Sequence, residues 1–194
     1  MSPSENAVGR AAVTAIGAAA VWLVGITPVP RAYTERDPAR RLELLRAGRR
    51  SWIVGEHLAA AGTAAVPAAF ARAALALPAG PARTFTGVAA GALAAGAPFF
   101  VWEIAVRTSD IERFAYRRMA GWPFEVYAWL HVAALGSLAG ALWTRRRNRR
   151  EAAAVGAVAL GSAVALVRTG DMVPAAFYLA EQVAAASLLR RTDE

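Results

Sequence analysis

The chain has 194 residues, a formal net charge of +8 and a composition that is 57% hydrophobic, with a mean hydropathy of +0.35. All 22 basic residues are arginine and cysteine is absent. This excludes a lysine Schiff base, a phosphate-binding loop ending in GK[ST], disulfides, thiolate metal sites and cysteine catalysis.

The arginines fall where long apolar runs end, as snorkelling and headgroup contact require, so no nucleic-acid partner is expected. The runs predict an all-α polytopic membrane protein. It is read as one helical domain over 1–194, a bundle of six transmembrane helices with two amphipathic interfacial connectors.

The first span is predicted over about 7–27, stopped by Pro28 and Pro30. It has almost no basic leader, so it is not read as a cleavable signal peptide. In the connector TERDPARRLELLRAGRR (34–50), Asp37 is placed to cap a helix that starts at Pro38. Leu42 and Leu45 share one face of that helix, and Arg40, Glu43 and Arg46 mark a charged one. The second span, 51–77, opens SWIVGEHLAAAG and carries Glu56, His57 and Pro67. The third, 85–106, carries Gly87, Gly91, Pro98 and Glu103.

In the second connector, TSDIERFAYRRMAGW (108–122), Ser109 or Asp110 can cap. Two spans separate the connectors, so both lie on one side of the membrane. The fourth span, 122–143, carries Glu125, His131, Gly136 and Gly140, and is followed by RRRNRR at 145–150. The fifth, 152–167, and sixth, 172–189, are shorter than the usual ~20 residues. Small residues four apart, Gly87/Gly91 and Gly136/Gly140, offer notches for close helix approach. Pro67 and Pro98 are expected to kink their helices and open space in the bundle.

Ionisable groups in four spans fall in the same half of the bilayer. At the rise of an α-helix, His57 lies about 9 Å past Ser51, and His131 about 13 Å past Trp122. An ionisable group costs ~2.5–3.5 kcal/mol at a helix centre unless it finds partners, so a shared polar pocket open towards the connectors is expected. Helical spacing pairs Trp52 with Glu56, Trp122 and Trp129 with Glu125, Tyr127 with His131, and Tyr178 with Glu181. Neighbouring residues point about 100° apart, so Glu56, with Trp52 and Thr63, is the better pocket residue, and His57 is left to bridge to another helix.

Three functions compete for such a pocket. The first is binding of a lipophilic, lipid-like or isoprenoid-like molecule with acid–base isomerase or cyclase chemistry. Glu56 would be the proton donor, with His131 and Glu181 as its catalytic partners. Trp52, Glu103, Glu125, Tyr127, Trp129 and Tyr178 would line the site, with the aromatic faces stabilising positive charge. The second is a metal or haem b site, with His57 and His131 as ligands; no cofactor is otherwise expected. The third is a non-catalytic accessory protein in which these contacts fix helix register. Transport is weaker still, because no internal repeat is evident.

The stretches RRSWIVGEHLAAAGTAAVPAAFARAA, WLHVAALGSLAGALWTRRR and MVPAAFYLAEQVAAASLLRR resemble a broad group of uncharacterised six-span bacterial, actinobacterial-type membrane proteins. The resemblance implies a fold and a bacterial inner-membrane home, with membrane lipids as partners, and no activity. The two faces carry 12 and 10 arginines. The dense block directly after span four places both termini in the cytoplasm.

Overall fold

A computed structural model describes residues 3–189. The chain is helical throughout, and no strand occurs among the described residues. Its helices are α1 (Pro3–Gly25), α2 (Arg31–Thr34), α3 (Pro38–Ala47), α4 (Arg49–Ala76), α5 (Pro81–Ser109), α6 (Ile111–Ala115), α7 (Trp122–Trp143), α8 (Arg149–Thr169) and α9 (Ala175–Leu189). Five of them, α1, α4, α5, α7 and α8, are long and apolar enough to cross a membrane, the pattern of a multi-pass membrane protein. The sixth expected span coincides with α9, of which 15 residues are described. Arg190 and Arg191, part of the charge balance above, lie outside the described residues.

Local sequence accounts for where the helices start and stop. The Asp37 carboxylate accepts from the backbone N–H of Ala39 at 2.8 Å and of Arg40 at 3.2 Å, with Pro38 in the first turn. Of the two candidates before α6, Asp110 is the cap, accepting from Arg113 N–H at 2.9 Å, whereas Ser109 turns back to the Val106 carbonyl. Helix α8 ends where Gly170 takes a left-handed φ of 66°, a conformation that costs glycine little.

The long helices pack as a ring in chain order, α1 on α4, α4 on α5, α5 on α7 and α7 on α8, with α9 closing between α8 and α1 and also touching α7. Aromatic side chains from five helices fill the interior. Trp22 stacks on Tyr178 with centroids 4.1 Å apart, Phe100 on Tyr127 at 4.4 Å, and His131 on Phe177 at 5.0 Å.

The closest helix crossing is α1 on α4, away from either predicted glycine pair. A Cβ on Gly62 would stand 2.7 Å from the Ala18 carbonyl oxygen, and one on Gly25 would stand 2.7 Å from Ala59 N. Gly55 faces the Gly25 carbonyl even more closely. By contrast Gly91 and Gly136 face open space, and Gly140 packs on the Phe85 ring. Gly55, Ala59 and Gly62 form the working small-residue stripe. Pro67 and Pro98 lie inside continuous helices and line an outward-facing apolar groove of about 730 Å³ between α4 and α5.

The short helices close one end of the ring. Arg41, 3% exposed, donates to the Ala115 carbonyl at 2.8 Å and to the Glu35 carbonyl, which ties α3 to α6. Arg46 pairs with Glu112 on the outside of the same joint. Beneath them Val29, Ala32, Leu42, Leu45, Trp52 and Ala115 form a small core of their own.

Candidate functional site

Apart from Arg41 in the cap, the buried ionisable groups among the described residues form two clusters rather than one open pocket. The first lies under the cap. Arg107, in the last turn of α5, donates through Nε to Glu56 Oε2 at 2.9 Å and through Nη2 to the same oxygen. Tyr33 of α2 donates its hydroxyl to Glu56 Oε1 at 2.6 Å, and Trp52 Nε1 donates to the Tyr33 oxygen at 3.2 Å. The Glu56 side chain is 0% and the Arg107 side chain 7% exposed. The guanidinium carbon sits 5.2 Å from the Phe100 ring centre and 5.7 Å from that of Phe114.

Burial and the Glu56 carboxylate push the Tyr33 hydroxyl well above its ordinary range, so it stays a donor. Both Glu56 oxygens are therefore engaged, and the charge is paired. The connectors close over this cluster, so the expected opening towards them is filled by Tyr33 and Phe114.

Glu103 belongs to the same cluster but is not held by it. Its Oε1 is 3.8 Å from Arg107 Nη1, beyond hydrogen-bond reach, and its Oε2 is buried with no hydrogen-bond partner.

The second cluster lies deeper, where α4, α7 and α9 meet. Tyr127 donates to the Tyr178 hydroxyl at 3.0 Å, and Tyr178 lies 2.7 Å from Thr63 Oγ1. Thr63 uses its only proton on the Ala59 carbonyl at 2.9 Å. The hydroxyls therefore donate in one direction, from Tyr127 through Tyr178 to Thr63.

His131 Nδ1 is 3.0 Å from the Tyr127 carbonyl. A carbonyl only accepts, so Nδ1 carries a hydrogen and Nε2 faces Glu181 Oε1 at 3.6 Å. The Glu181 side chain is 1% exposed, and neither oxygen has a hydrogen-bond partner. Trp22 Nε1, in the adjoining stack, is buried and unpartnered too.

Of the sequence candidates, Glu56, Trp52 and Glu103 meet in the upper cluster, and Tyr127, His131, Tyr178 and Glu181 in the lower one. Glu125, Trp129 and His57 are exposed and join neither. His57 does not bridge helices; its Nδ1 contacts the Ile53 carbonyl of its own helix at 2.7 Å. A haem between His57 and His131 does not fit, because one imidazole faces outwards and the other is 2% exposed in the ring's interior. Among the described residues no group of three or more His, Asp or Glu is placed to hold a metal.

Sequence reading missed Arg107, because the third span was ended one residue before it. Its i,i+4 spacing from Glu103 was the available signal. Tyr33 and Trp22 carried no such signal, since their partners lie on other helices. The chain matches no protein-family model, no curated protein and no solved structure.

The upper cluster yields a double-mutant prediction. Glu56→Gln and Arg107→Met should each lower stability to unfolding from detergent micelles by about 3–5 kcal/mol, because each leaves the other group buried and unpaired. The double variant should lose far less than the sum. Additive losses would mean that the pair contributes no coupling.

Proposed function

We propose that the protein carries out acid–base chemistry on a lipophilic, isoprenoid-like substrate at the Glu181–His131 pair. The observation that supports this is the Glu181 carboxyl, buried without a hydrogen-bond donor opposite an imidazole nitrogen. Folded proteins rarely leave such a group unsatisfied, and in membranes it marks a working site by default.

In the resting state Glu181 is the acid and His131 the base, an arrangement with no separated charge. Glu181 gives its proton to one carbon of an alkene. The cation that forms faces the rings of Tyr127, Tyr178 and Phe177, whose quadrupoles stabilise it. His131 Nε2 then takes a proton from a neighbouring carbon, which shifts the double bond. That proton returns to Glu181 across the short gap between them and resets the pair. Glu56, assigned the donor role from sequence, is given a structural one, because three hydrogen bonds already occupy it. Trp52 belongs with the cap, and Glu125 and Trp129 with the lipid-facing surface.

The reading extends to six crossings, with α9 the sixth, in a bacterial cytoplasmic membrane with both termini inside. The cysteine-free chain suits single-cysteine labelling. An impermeant maleimide added to intact cells should label a cysteine at Arg36 and not one at Arg147; the reverse pattern would invert the topology.

The chemistry can be tested without knowing the substrate. Protein in lipid nanodiscs, incubated in D2O with a bacterial lipid extract, should incorporate deuterium at carbon in one lipid class. Glu181→Gln and His131→Phe should abolish incorporation. Absence of label from every lipid class with the wild-type protein would favour the accessory reading.

A further inference from the structure

Towards the end of the ring away from the cap, α4 and α5 leave an open seam on their outer side. The apolar groove of about 730 Å³ in this seam runs from Ala64 to Leu75 on α4 and from Gly87 to Val101 on α5, and no polar side chain lines it. The helices do not close it by approaching each other. A Cβ on Gly91 would meet nothing within 4 Å, and one on Gly87 would only touch the Ala74 Cβ at 4.0 Å. At the rise of an α-helix the groove extends about 16 Å along α4 and about 21 Å along α5. One leaflet, half of the ~30 Å hydrocarbon core, is roughly 15 Å deep. The groove is therefore about as long as one leaflet is thick. Charge marks its outer end. Between Glu56 and Glu103 the sequence has no Asp or Glu, and its only arginines are Arg72 and Arg83. Both are exposed, and among the described residues neither is paired with a carboxylate. Arg83 precedes Gly87 by four residues and Ala90 by seven, so it continues the groove face of α5 one turn beyond the groove's end. Arg72 follows Ala68 by four and precedes Leu75 by three, which puts it on the groove's α4 edge.

We propose that this groove is a binding site for an anionic phospholipid of the adjacent leaflet, with one acyl chain in the α4–α5 seam and the phosphate on Arg83 and Arg72. The walls offer only apolar contact, which suits a chain, and the mouth offers only positive charge, which suits the headgroup. A guanidinium presents its donors in a fork that matches phosphate oxygens. A second copy of the chain fits less well. About a two-fold axis along the membrane normal, the same patch meets itself. Hollow would then face hollow, and Arg83 would stand opposite Arg83. The lipid chain instead supplies the packing that the small side chains leave unmade, beside the two helices that carry Glu56 and Arg107. The site is separate from the Glu181–His131 pair and does not depend on the chemistry proposed there.

The test is native mass spectrometry of the full chain, delipidated in detergent and titrated with phosphatidylglycerol or with phosphatidylcholine of the same acyl chains. Wild-type protein should retain one phosphatidylglycerol in clear preference to phosphatidylcholine. Arg83→Gln should weaken phosphatidylglycerol about 5-fold, the equivalent of roughly 1 kcal/mol for one arginine near an anionic surface, and should narrow the preference. Gly91→Leu fills the groove from its own wall, where a side chain meets no neighbour, and should abolish specific retention of both lipids without lowering the unfolding temperature. Should that variant fold poorly, Ala94→Leu, at another exposed groove position, carries the same expectation. Retention that ignores Gly91→Leu and Ala94→Leu would belong to another surface, such as the arginine block at 145–150, and overturns the site. Equal retention of the two lipids by the wild type overturns it as well. So does a dimer that Gly91→Leu dissociates, which would make a second copy the occupant.

Discussion

The Glu56–Arg107 ion pair joins the two halves of this structure. It links α4 to α5 inside the ring, and through Tyr33 it links the ring to the cap. A charge of either sign at this depth is tolerable only if its partner is present and its remaining lone pairs are used. Both conditions are met: Oε2 accepts from the guanidinium and Oε1 from a tyrosine, while Phe100 and Phe114 cover the cation. The cap is therefore held by polar contacts to a buried charge as well as by its own small apolar core.

That completeness gives the second cluster its meaning. Among the described residues, the same fold that supplies three hydrogen bonds to Glu56 supplies none to Glu181, which faces His131 Nε2 at 3.6 Å. A fully satisfied network rigidifies, and a partly satisfied one is a cost that selection removes unless it has a use. The surrounding rings make the location apolar, which strengthens any electrostatic effect exerted there. The close α1–α4 crossing at Gly25, Gly55 and Gly62 contributes indirectly. It brings Trp22 far enough inwards to stack on Tyr178 and form one wall of the lower cluster.

Much of this was legible in the sequence, for physical reasons that differ from residue to residue. Apolar runs between arginine clusters are enforced by the bilayer, so the helices appeared where expected; α7 begins and ends at the predicted residues 122 and 143. Asp37 followed by Pro38 is a local signal and gave the start of α3 correctly. Helical spacing put Tyr127 with His131 and Tyr178 with Glu181 on shared faces, and those faces are buried, but the same spacing put Trp129 with Glu125 on a face that is exposed. The split into two clusters was not legible, because depth along a helix axis says nothing about which neighbour a side chain meets. Arg107 was lost to a span boundary set one residue short. The glycine pairs misled because small residues in lipid-facing positions, such as Gly91 and Gly136, look the same as those at a crossing, and it is the Gly55–Ala59–Gly62 stripe that meets the backbone of a neighbouring helix.

Among the described residues, both Glu56 oxygens accept hydrogen bonds and neither Glu181 oxygen does, and unfolding measurements on two methionine variants distinguish a carboxyl that holds the fold together from one that does not. In the same detergent, Glu181→Met should be as stable as the wild type or more so, because it removes an unsatisfied group from an apolar site. Glu56→Met should be markedly less stable, because it strands Arg107. A Glu181→Met protein destabilised as much as Glu56→Met would contradict the account, and would make both carboxyls structural.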